Sequence, residues 1–112
     1  MKYMLMICGD EESYAAMLAD EAFQGNCHRW AEEMGERGIL GETGGLQGPE
    51  AATTLRVRDG RVLLSDGPFA ETKEVIAGFS IVDCADLDEA IEVASRHPVA
   101  PYGTLEIRPF TG

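Results

Sequence analysis

Two stretches, KYMLMIC at residues 2–8 and VIAGFSIV at 75–82, constrain the fold more than anything else in this chain. Each is of strand length, and each has apolar side chains on both parities. Tyr3, Leu5 and Ile7 alternate with Met4, Met6 and Cys8. Neighbouring side chains on a strand point to opposite faces, so strands of this kind require cover on both sides. An acceptable fold must shield a sheet front and back.

The remaining elements follow from local chemistry. Asp10 or Ser13 suits the start of a helix, since an Asp or Ser oxygen can accept from a free N–H of the first turn. The segment from Ser13 to about Gly38 reads as helical, with an interruption at Gln24-Gly25-Asn26. Phe23, Cys27, Trp30 and Met34 recur at i, i+4, i+7 and i+11, which is one apolar stripe. Gly38 is the C′ glycine that ends it. A glycine-rich stretch, ILGETGGLQGPEAA, then reads as a short strand and a loop. TTLRVRDGRVLLSDG is a hairpin, because Asp59-Gly60 supplies the two positive-φ residues that a type I′ turn needs. DLDEAIEVASRH carries a capping box, Asp86 with Glu89. Leu87, Ala90, Ile91 and Ala94 are expected to face the core, with Arg96 and His97 at the negative end of the helix dipole. Pro98 stops that helix, and TLEIRPF closes as an alternating strand with Leu105 and Ile107 inward.

The order β-α-(β)-ββ-β-α-β is an α+β, ferredoxin-like split βαβ with an added β-hairpin, in a single domain over residues 1–112. Its two right-handed crossovers place both helices on the same face of the sheet. The second apolar face then has nothing in the chain to cover it. A second copy is the economical cover, so the expectation is a homodimer packed sheet against sheet as a dimeric α+β barrel. Each aliphatic side chain buried this way contributes about 1.5 to 3 kcal/mol.

Composition narrows the partners. Nine Lys plus Arg against twenty Asp plus Glu give a formal charge of −11, which repels phosphate backbones and anionic lipid and argues against nucleic-acid and membrane roles. The apolar opening turns acidic by Asp10, too soon for a membrane span or a signal peptide, and the chain reads as cytoplasmic. Cys8, Cys27 and Cys84 are far apart, with no C-x-x-C pair, and read as free thiols rather than as disulfides or zinc ligands. Neither a phosphate-binding glycine loop nor a nucleophile elbow occurs, and the spacing of the two histidines offers no metal site and no cofactor site.

The residues left with chemistry cluster at DGPFAETKE, 66–74, and on the long helix. Asp66-Gly67-Pro68 has turn chemistry, and Phe69 is expected to plug inward. Glu71 and Lys73 share one side of an extended backbone and are candidates to line the mouth of a ligand cleft. The plainer alternative is a solvated ion pair. His28 flanks the apolar stripe, with Glu32 at i+4. It is a candidate general base, with Asp66 or Glu32 orienting it. Against this stands an ordinary exposed helix histidine. His97 reads as structural.

DGPFAETKE, together with GF at 78–79, DLDEAIE at 86–92 and YGTLEIRP at 102–109, resembles the DGPF-domain branch of the YCII-related proteins over nearly the whole chain. ETGGL at 42–46 departs from the branch pattern and displaces Glu42. The resemblance implies a dimeric α+β barrel and an enzyme-like cleft built around a His and an Asp, in a family whose biochemical role is largely unestablished. Cofactor-free proton transfer of lyase or isomerase type, with His28 as base and Asp66 as orienter or acid, is one functional expectation. A non-enzymatic ligand-binding or regulatory module beside an extracytoplasmic-function sigma factor, which the resemblance also implies, is the other.

Overall fold

A computed structural model describes residues 1–112. Strand β1 (Lys2–Gly9) passes into helix α1 (Glu11–Ala19) at Asp10, whose Oδ1 accepts from the Ser13 N–H at 2.8 Å. The helical segment does break, but at Asp20-Glu21-Ala22 rather than at Gln24-Gly25-Asn26. Asp20 turns the chain there by accepting the Ala22 N–H at 2.9 Å. Gly25 and Asn26 instead sit inside helix α2 (Phe23–Glu36), where a glycine costs only about 1 kcal/mol. Trp30 and Met34 of the stripe are buried, while Phe23 and Cys27 are half-buried. Gly38, at φ +70°, closes α2 in a Schellman motif. Its N–H donates to the Gly35 carbonyl and that of Ile39 to the Met34 carbonyl, both at 3.0 Å.

Beyond lie β2 (Leu40–Gly45), a single 3-10 turn (Pro49–Ala51), β3 (Thr53–Arg58), β4 (Arg61–Asp66), β5 (Val75–Asp83), α3 (Leu87–Ser95) and β6 (Thr104–Pro109). The four-stranded sheet has the order β2-β5-β1-β6 with antiparallel neighbours, which is the ferredoxin-like arrangement. Strands β3 and β4 form a separate hairpin whose turn residues Asp59 and Gly60 have φ of 52° and 73°. No helix is long and apolar enough to cross a membrane.

One sheet face is closed. Tyr3, Leu5 and Val82 pack there with Trp30 and Met34 of α2 and with Ala90, Val93 and Ala94 of α3 in a single core. Helix α3 is rotated from the expected orientation. Leu87 and Ile91 are about half exposed, and Val93 is fully buried in their place. The Trp30 indole sets this rotation by donating to the Val93 carbonyl at 3.1 Å. Asp86 caps α3 through the Glu89 N–H at 2.9 Å, and the Glu89 carboxylate reaches back to the Ala85 N–H.

The other face carries Met4, Met6, Phe79 and Ile81, all only half-buried. The hairpin pairs Leu55 with Leu64 and Val57 with Val62 on one side, and all four are more than half exposed. Phe69, expected to plug inward, is 80% exposed. These bare surfaces leave the molecule 47 × 39 × 18 Å, with a radius of gyration of 15.9 Å. A compact chain of this length would have about 13 Å.

Candidate cleft between the helices and the sheet edge

Where β2 meets β5 the sheet is built on glycine. A Cβ on Gly78 would lie 2.8 Å from the Gly44 carbonyl oxygen, so the approach of β2 requires glycine there. Gly44, Gly45 and Gly78 give this corner a floor without side chains. Above it, residues of α1, α2 and the turn after α3 border a cleft of about 760 Å³. Its walls are mainly apolar, with Ile7, Met17, Phe23, Trp30, Val75 and Val99 among them. No Lys, Arg, Asp or Glu lines it.

Few polar groups enter. The Tyr14 hydroxyl donates to the Val75 carbonyl at 2.8 Å, tying α1 to the start of β5. Burial raises its pKa, and it raises that of the Cys27 thiol in the same wall, so both stay neutral near pH 7. Thr43 and Ser80 share a 2.7 Å hydrogen bond between their hydroxyls, at the β2 edge.

The candidates from the sequence are distributed unevenly. His28 lines the cleft, with 77% of its side chain exposed and Nε2 3.2 Å from Glu32 Oε1. Glu32 is its one carboxylate partner within 4.0 Å, so His28 and Asp66 do not meet within the chain. Asp66 ends β4, paired with Thr53, and is exposed. The next residue, Gly67, has φ +88°. It is held by its N–H to the Ala52 carbonyl (2.8 Å) and by its own carbonyl to the Thr54 hydroxyl (2.7 Å). Lys73, 88% exposed, has its Nζ 4.0 Å from Asp10 Oδ2, and Glu71 is exposed. None of Asp66, Glu71 and Lys73 lines the cleft.

His97 is the unexpected residue. Read from the sequence as a cation at a helix end, it is 6% exposed and lines the cleft. Its Nδ1 accepts the Val99 N–H at 3.1 Å, and its ring packs edge-on against Trp30 with centroids 4.6 Å apart. Burial pushes its pKa down to about 4, so it is neutral near pH 7. Arg96 is the cation at this end of α3, 2.7 Å from Glu33. The sequence signal for His97 was its i+7 spacing from Ala90, on the stripe that continues through Val93 and Ala94.

The profile of the YCII-related domain matches residues 1–111. A protein of Rhizobium meliloti (strain 1021), described only as uncharacterized, is 36% identical over 110 residues, covering 94% of this chain and 89% of that one.

Proposed function

The chain belongs to the YCII-related family, and on that premise we propose that it is a homodimeric small-molecule-binding protein whose cleft takes an uncharged, largely apolar ligand. The cleft carries this conclusion: its volume of about 760 Å³ falls in the range of ligand pockets, and its walls hold no full charge. An anion buried there would lack a counter-ion in a chain of net charge −11, and uncompensated burial of charge is strongly unfavourable. Glu71 and Lys73, candidates for the cleft mouth, lie outside its lining and bring no charge to it.

Dimerisation is supported by the half-covered face of Met4, Met6, Phe79 and Ile81, by the bare hairpin and by the exposed Phe69. A second copy laid on this face gives each of them an apolar neighbour. The unbroken DGPFAETKE at 66–74 supports placement in the DGPF branch. If the cleft is catalytic, proton transfer falls to His28 at its mouth, oriented by Glu32. Asp66 enters that chemistry only across the dimer, from the hairpin of the second copy. A regulatory role beside a sigma factor draws its support from the acidic surface alone.

Trp30 is the one tryptophan and lines both the cleft and the smaller concavity of about 460 Å³ beside it, so its fluorescence reports binding at this side of the molecule. A panel of small aromatic and alicyclic compounds is expected to raise the melting temperature and perturb Trp30, with neutral members outperforming carboxylates of the same shape. No response from any member would end the cleft reading. Sedimentation at micromolar concentration is expected to give a dimer, and a stable folded monomer there would remove the homodimer.

A further inference from the structure

We propose that His97 is the hydrogen-bond donor that fixes a ligand in the cleft, selecting uncharged molecules with an apolar body and one carbonyl or ether oxygen. The inference rests on the cleft being a binding site and goes further by assigning its polar anchor. With Nδ1 accepting from the Val99 N–H, the proton of a neutral ring must sit on Nε2. No protein acceptor takes that proton. Yet no sealed side-chain nitrogen or oxygen in the molecule lacks a partner. The Nε2–H of this 6% exposed ring is therefore left unsealed, on a ring that lines the cleft.

The position of the donor is fixed before any ligand arrives. Trp30 packs on the ring, and the turn that follows is locked by the Ala100 N–H to the His97 carbonyl (2.9 Å) and the Gly103 N–H to the Val99 carbonyl (2.8 Å). An oriented donor in an apolar wall loses little entropy on binding and discriminates strongly for an acceptor. The burial that keeps the imidazole neutral also suits a neutral oxygen over a carboxylate. The ring borders a second, charged concavity of about 460 Å³, but none of Asp20, Arg29, Glu33 or Arg96 there bonds to it. Met17 and Val99 line only the larger cleft and so tell the two apart.

The test uses the full chain, isotope-labelled, at pH 7, with acetophenone, ethylbenzene and benzoate as probes. Long-range proton–nitrogen spectra are expected to show His97 protonated at Nε2 and bare at Nδ1. Acetophenone is expected to bind about five- to tenfold tighter than ethylbenzene, the increment of one neutral hydrogen bond, and to bind tighter than benzoate. It should shift Nε2–H together with the Met17 and Val99 methyls. His97→Asn keeps an acceptor for the Val99 N–H but lacks the outer nitrogen, and should lose the preference. His97→Gln returns an N–H near that point and should recover part of it. If acetophenone and ethylbenzene bind alike with Nε2–H unmoved, the donor role is overturned and the cleft stands. If none of the probes moves the Met17 or Val99 methyls, the cleft reading falls and the donor role falls with it. The spectra of the unsubstituted protein decide the matter even if a variant fails to fold.

Discussion

The two faces of the central sheet have nearly the same composition and opposite fates. Tyr3, Leu5 and Val82 on one are almost inaccessible, sealed by Trp30, Met34 and α3. Met4, Met6, Phe79 and Ile81 on the other are half open, and the hairpin beside them exposes Leu55 and Leu64 at 60% and 65%. The difference arises from connectivity. Both crossovers pass on one side, so one chain can finish only one face. The cleft and both histidines lie on the finished side, where side chains from α1, α2 and the turn after α3 converge.

The sharpest way to break this comparison is to truncate matched leucines. Leu5→Ala is expected to destabilise by about 2 to 5 kcal/mol in urea melts, the range for a fully buried leucine. A loss under about 1 kcal/mol would mean that the sealed face is loosely packed.

Acid titration probes the sealed side next. The folded pKa of His97 is near 4 and its ordinary value is 6.5. The native state therefore binds fewer protons than the unfolded chain between those values. The associated stability is fully present above pH 6.5 and declines as pH falls to about 4, by roughly 3 kcal/mol in all. His97→Asn should flatten that part of the pH profile. An unchanged slope would place the ring in water.

Smaller effects follow. Asp86→Ala removes the cap of α3, which helps to seal the core, and should cost about 1 kcal/mol by thermal or urea melting. Leu64→Ala in the hairpin should change stability by less than about 0.5 kcal/mol at dilutions where the chain is monomeric. At higher concentration it should weaken self-association in sedimentation. A Leu5-sized loss at every concentration would show that the hairpin is buried within its own chain.

Several features were legible because their causes lie within a few residues. Asp59-Gly60 has the positive φ values of its turn, Gly38 closes a Schellman motif, and Asp86 with Glu89 caps α3. The two doubly apolar strands became the central neighbours β1 and β5. Features that depend on distant partners were misread. A helical period alone allows α3 to bury Leu87 and Ile91 or to bury Val93, and the Trp30 hydrogen bond 63 residues away selects Val93. Phe69 follows a turn and reads locally as a plug, yet its own chain offers it no cavity to fill. His28 and its i+4 carboxylate Glu32 form the exposed pair that such spacing usually makes.

The amino-acid order alone fixed most of the elements, caps and turns and the ferredoxin-like succession, though not the place of the break between α1 and α2, because dihedral preference and hydrophobic period act over one or two turns. Three-dimensional packing assigned the chemistry. It left Asp66 apart from His28, lined a cleft with no full charge, and packed His97 edge-on against Trp30. Proximity and desolvation come from residues far apart along the chain, so a local stripe such as the one reaching His97 marks a buried face without naming what it meets.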